Sequence, residues 1–194
     1  MWRERLSTLA KAIAGLVLGT ALWWALAEPY TRMIAGVAEP VMRALERPAV
    51  TRLQPSGAQV VIDRSDFQRG SPRPALGTAT LTVNFVLLTA LFASNPRSFE
   101  TMNVIRYAIA ALLLVPVHIA AVIVNVNSIY ALRLGPWSIA HYNAMERNIW
   151  GAAAHSYTLL GSFGCAFLLW WLLKPSGIST TSAGRRFRRK RSKH

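Results

Sequence analysis

The chain has 194 residues, of which 53% are hydrophobic and only 15% charged, and its mean hydropathy is +0.29. So little charge at this length excludes an ordinary soluble domain and points to a membrane protein. Lys and Arg number 22 against 8 Asp and Glu, a net charge of +14, and the lone cysteine, Cys165, excludes an intramolecular disulfide framework and any CxxC motif.

In chain order, residues 1–8 read as a short cytoplasmic N-terminus and residues 9–27, LAKAIAGLVLGTALWWALA, as the first transmembrane helix. Trp23 and Trp24 stand near its outer end, where indoles favour the interface. Arg3 and Arg5 before an apolar run also fit a signal peptide, but the tryptophans and the chain through Glu28 and Pro29 give no tidy small-x-small cleavage site, so an uncleaved anchor is expected. Residues 28–73 form an extracytoplasmic loop. Within it, 29–46 is expected to be an amphipathic helix on the outer membrane surface or over the bundle, with Met33, Ile34, Val37, Val41 and Leu45 as an apolar stripe. Arg32, Glu39, Arg43 and Glu46 populate its other side, and Pro40 is expected to bend it.

Residues 49–63 carry two β-prone runs, Ala49–Leu53 and Ala58–Asp63, split by the turn sequence Gln54-Pro55-Ser56-Gly57. With LGTATLTV they make a three-stranded sheet too small to stand alone, and Asp63 to Pro74 reads as a flexible link. Residues 74–96 are expected to pass from a strand into a second, short span with its core at 81–93. Residues 107–132 form the third span, with Pro116 kinking it and His118, Asn125 and Asn127 at membrane depth. An extracytoplasmic loop, 133–148, leads to the fourth span, 149–173, closed by Trp170, Trp171 and Lys174. The fold class is therefore an all-α membrane protein of four transmembrane helices, with an extracytoplasmic amphipathic helix and a small β segment.

Charge sets the orientation. The acid-free tail, 174–194, holds 8 basic residues, which the positive-inside rule retains in the cytoplasm. Four spans then place the N-terminus there too, beside Arg3 and Arg5. The outer loop has 7 basic and 5 acidic residues, a balance that opposes translocation only mildly. In the tail, Arg185, Arg186, Arg188, Arg189, Lys190 and Arg191 are expected to contact anionic lipid, at roughly 1 kcal/mol per basic residue. Nucleic acid, a target by charge alone, is not expected as a partner.

Little catalytic chemistry is visible. Cys165 lies mid-span, where a desolvated thiol stays protonated. His118 and His155 could face one another across spans three and four, but without a carboxylate or thiolate they make no recognisable metal site. No dinucleotide fingerprint, P-loop or HExxH is present, and no cofactor, metal or catalytic residue is expected. Gly15-x-x-x-Gly19, and more loosely Gly161 with Gly164, are helix-packing positions, internal or toward a partner.

The succession of one span, the pattern AEPYTRMIAGVAEPVMRAL, a short β segment and TATLTVNFVLLTALFA resembles the exosortase H-associated membrane proteins. The likeness includes a β-like run ending in a Val-Asn step, here Leu81-Thr82-Val83-Asn84. It implies a small inner-membrane accessory to an exosortase, the transpeptidase-like enzyme that processes C-terminal sorting signals. Cys165 departs from that enzyme's catalytic pattern, so no catalytic residue is carried over. The expectation is a non-enzymatic accessory protein with membrane lipids and a membrane-protein partner. The alternatives are a subunit of another bacterial membrane complex, respiratory or photosynthetic, and a small transporter using His118, Asn125 and Asn127 as a polar path.

Overall fold

A computed structural model describes residues 2–45, 51–67, 73–95 and 97–174. The first helix, α1 (Trp2–Leu45), has 44 residues and runs through both Pro29 and Pro40. At 1.5 Å per residue it is about 66 Å long, more than twice the ~30 Å of bilayer hydrocarbon.

The separate outer helix expected at 29–46 is therefore the continuation of the first span. One unbroken face explains this. Gly15, Gly19, Trp23, Ala27, Thr31, Ile34, Ala38 and Met42, spaced by threes and fours, are all buried or half-buried. Packing along that face outweighs the local cost of each proline, ~3 kcal/mol.

Three antiparallel strands follow in the order β1 (Arg52–Ser56), β2 (Gln59–Asp63), β3 (Ala75–Gly77). The hairpin turns at Gly57-Ala58, with Ser56 paired to Gln59, so Gln54, Pro55 and Ser56 belong to the strand and not, as expected, to the turn. Gly57, at φ +59°, takes the first loop position, which a type II′ hairpin gives to glycine. Pro55 is tolerated because β1 is an edge strand.

The sheet is fastened to α1 by two of the charged groups from the other side of the expected stripe. Glu39 Oε2 accepts from the Leu53 amide at 2.9 Å, and Arg43 Nε donates to the Thr51 carbonyl at 2.9 Å. The link after Asp63 is likewise docked in part. Arg64 binds Asp66 through Nε at 2.9 Å and Nη2 at 3.2 Å. Its guanidinium also lies 4.9 Å from the ring centre of Tyr130 and 5.2 Å from that of Trp137. Burial alone would raise the Asp66 carboxyl, but the Arg64 hydrogen bond and charge outweigh it and hold the group below the usual carboxylate range.

The β-like run expected through Val83 becomes helix after three residues: α2 (Ala79–Thr82), a turn at Val83, then α3 (Asn84–Ala93). Thr78 makes the switch. Its Oγ1 donates to the Ala58 carbonyl at 2.8 Å and accepts from Thr31, while its carbonyl takes the Thr82 amide at 3.1 Å. The remaining helices are α4 (Thr101–Leu132), with Pro116 inside it, α5 (Pro136–His141), α6 (Ala144–Ser156) and α7 (Ser162–Leu173). A π-helical turn, Tyr157–Gly161, joins α6 to α7.

Three helical stretches are long and apolar enough to cross a membrane: α1 from Arg5, α4, and α6 through α7. The second expected span is a shorter apolar helix, Ala79–Ala93, about 22 Å long. Pairings fix the directions. Trp23 Nε1 donates to Thr82 Oγ1 at 3.0 Å, and Gly15 faces Ala93, so α3 is antiparallel to α1. Tyr107 bonds Thr89 and His118 bonds Asn84, so α4 runs parallel to α1. Tyr157 bonds the Leu81 carbonyl and Trp170 bonds Asn95, so the last helix descends beside α3.

Two cores are stacked along this bundle. Leu88, Phe92, Ala110, Leu114 and Ala166 form one between α3, α4 and α7. The other joins Ile34, Ala38 and Met42 to Val60, Ile62, Val122, Val126 and Tyr130 beneath the sheet. Leu16, Val17, Leu112, Leu160 and Phe163 stay exposed on the outer faces of the first storey, as lipid-facing residues do.

Candidate functional site

The junction between the storeys is polar. His118 Nε2 lies 2.7 Å from Asn84 Oδ1, and His118 Nδ1 lies 2.6 Å from the Tyr30 hydroxyl. With the amide oxygen accepting, Nε2 carries the proton and Nδ1 accepts from Tyr30, a tautomer assigned from the network. His118 and Asn84 are fully buried, and the Tyr30 and His118 rings meet edge-on at 88°. Beside them Tyr157 Oη donates to the Leu81 carbonyl at 2.7 Å.

Each side chain is placed by its helix. Tyr30 stands on α1 one residue past Pro29, Asn84 opens α3 at the Val-Asn step, and His118 follows Pro116 by two residues. The node has both imidazole nitrogens engaged and no carboxylate in contact. Its chemistry is hydrogen bonding that fixes the register of three helices. Asn84 Nδ2 is buried without a partner among the described residues.

The polar residues of the transporter alternative open on different grooves among the described residues. Asn125 Nδ2 donates back to Ala121 and Asn127 Nδ2 to Ile123, each within α4. Asn127 opens on a groove with Trp137, His141 and Trp150, and Asn125 on another with Ser128, Arg133 and His155. His118 and His155 do not face one another, because α6 turns His155 outward while His118 points to α1 and α3. Cys165 is half-buried at the edge of the first core.

The expected apolar stripe divides. Ile34 is fully buried, while Met33, Val37, Val41 and Leu45 remain exposed as a row with a spacing of four. Helical geometry sets Met33 about 100° from Ile34, at the margin of the buried face. The exposed row is flanked by the ion pairs Arg32–Glu28 and Arg43–Glu39.

Gly15 and Gly19 pack against α3. A Cβ on Gly15 would collide with Ala93 Cβ, and one on Gly19 would come within 3.0 Å of Thr89 Cβ. A Cβ on Gly161 would meet the Tyr157 ring of its own chain segment at 2.5 Å, and one on Gly164 would meet nothing within 4 Å. Arg185, Arg186, Arg188, Arg189, Lys190 and Arg191 lie outside the described residues, as do Glu46 and residues 49–50.

Sequence reasoning missed Tyr30 and Asn84 as partners of His118, since they stand 88 and 34 positions from it. Among the described residues no three His, Cys, Asp or Glu side chains converge as a metal set. These features define the class at the level of architecture: a helical membrane-type protein carrying a small β-capped head. Compared with protein-family models, curated proteins and solved structures, the chain gives no match.

Proposed function

We propose that this chain is a non-enzymatic integral membrane accessory protein whose α1 extension docks a membrane-protein partner. The observation that carries the reading is the row Met33, Val37, Val41 and Leu45. These four side chains are 42%, 45%, 40% and 73% exposed on a segment that α1's length carries beyond the apolar slab. The same segment is held in the core by Ile34, Ala38 and Met42, so the row is presented on a fixed helix. Apolar rows of this kind mark helix-docking surfaces. The sharpest form of the proposal is support of an exosortase-type sorting system, on the strength of the sequence resemblance.

Val37→Asp and Val41→Asp each place a charge in the row without touching the core. Recovery of the co-purifying partner from native membranes should fall by at least about tenfold, with the membrane yield of the chain unchanged. Undiminished recovery with both substitutions would remove the row as the docking surface.

The reading includes four crossings with both termini in the cytoplasm of a bacterial inner membrane. It is supported by direction: α1 and α4 run parallel, and the antiparallel α2 with α3 is the described apolar segment between them that offers a return path. A short span is tolerated by local thinning and by flanking indoles, here Trp23 and Trp170 hydrogen-bonded near its two ends. Single cysteines at Ser56 and Ser182, in a Cys165→Ser background, should label from outside and inside respectively. Labelling of both from one side would mean an odd number of crossings.

A further inference from the structure

We infer that the groove between α4 and α6 is a binding site for the phosphate headgroup of an anionic phospholipid. The groove has a volume of about 220 Å³ and is lined by Arg133, His155, Thr158, Ser128, Asn125 and Leu76, among others. None of the residues lining it is acidic. Arg133 and His155 have no ion-pair partner among the described residues, and both are exposed. A guanidinium and an imidazole beside the Ser128 hydroxyl, without a carboxylate, match the oxygens of a phosphoryl group, the Thr158 hydroxyl being spent on the Ala154 carbonyl.

The groove's position names the source of that phosphate. Thr158 at its foot is followed directly by Leu159 and Leu160, 64% and 72% exposed, and then by Phe163 at 58%. The polar pocket therefore opens where a lipid-facing strip ends, at headgroup height with room for acyl chains below it. The groove rests on the apolar slab alone and needs no protein partner.

The test uses the full chain in vesicles of phosphatidylcholine doped with phosphatidylglycerol bearing a photoreactive group near the top of one acyl chain. Crosslinks mapped by peptide should concentrate at residues 159–163. They should fall at least about fivefold in Arg133→Gln and in His155→Gln, consistent with loss of one charge-assisted hydrogen bond. Unlabelled phosphatidylglycerol should compete and inorganic phosphate should not. Equal crosslinking in the wild type and both variants would overturn the site. Competition by inorganic phosphate would show a free-anion site and overturn the lipid assignment. Crosslinks along α1 with none at 159–163 would also refute the groove, whereas none anywhere on the chain would refute its insertion in the bilayer.

Discussion

Gly15→Leu should leave little folded protein when membranes are dissolved in mild detergent, read as loss of the monodisperse peak and of its thermal transition. The reason is where α1 and α3 touch. A Cβ at this position collides with Ala93 Cβ and comes within 3.0 Å of the Ala90 Cα and 3.1 Å of the Thr89 carbonyl oxygen. None of these is the free end of a flexible side chain, so the helices must separate. Separation strains the bonds above it, Trp23 to Thr82 and Thr31 to Thr78.

Even Gly15→Ala should cost about 1–3 kcal/mol, the usual range for overpacking. Ala93→Gly in the same chain should restore part of that loss by removing the nearest obstacle. Gly36→Ala is the internal control: nothing lies within 4 Å of its added Cβ. Replacing a mid-helix glycine there should be neutral or stabilising by roughly 0.5–1 kcal/mol. If Gly15→Ala and Gly36→Ala behave alike, the close approach of α1 to α3 is refuted.

The contrast between these two glycines shows what sequence could and could not convey. Gly15 and Gly19 stand four apart in an apolar run, a spacing that signals close packing but not against which helix. Gly36 has the same local composition and no neighbour. The apolar stretches themselves were legible because hydrocarbon thickness imposes their length, and the β segment because the β-branched run Val60-Val61-Ile62 follows a turn sequence.

The end of the first span was not legible. Pro29, Pro40 and four charged residues argue locally for a break, while the continuous buried face through Thr31, Ile34, Ala38 and Met42 becomes visible only with its partners in place. Thr78 misled in the opposite direction. A β-branched run reads as strand until its threonines bond back to helical carbonyls, as Thr82 does to Thr78 and Thr89 to Phe85. His118 was conspicuous as a polar group at depth, but its partners lie on two other helices and left no trace in spacing.

His118→Leu should be the most damaging single substitution outside the α1–α3 contact. It removes the acceptor of the Tyr30 hydroxyl and the donor to Asn84 Oδ1, beside an Asn84 Nδ2 that already lacks a partner among the described residues. An unmade buried hydrogen bond costs about 1–3 kcal/mol in proteins generally, so two orphaned groups should cost about 2–6 kcal/mol. Between helices in a membrane the average is nearer 0.6 kcal/mol, because the dissociated helices find other partners.

The two figures separate the possibilities by thermal unfolding of the purified protein. Tyr30→Phe alone should then cost about 1–3 kcal/mol if the node holds three helices in register. The triple substitution Tyr30→Phe, His118→Leu, Asn84→Leu removes every member together and should recover most of the loss, since apolar groups of similar size leave nothing orphaned. A triple variant no better than His118→Leu would show that shape rather than hydrogen bonding holds the junction. A His118→Leu protein as stable as the wild type would refute the structural role of the node and leave His118 to be explained by what it binds.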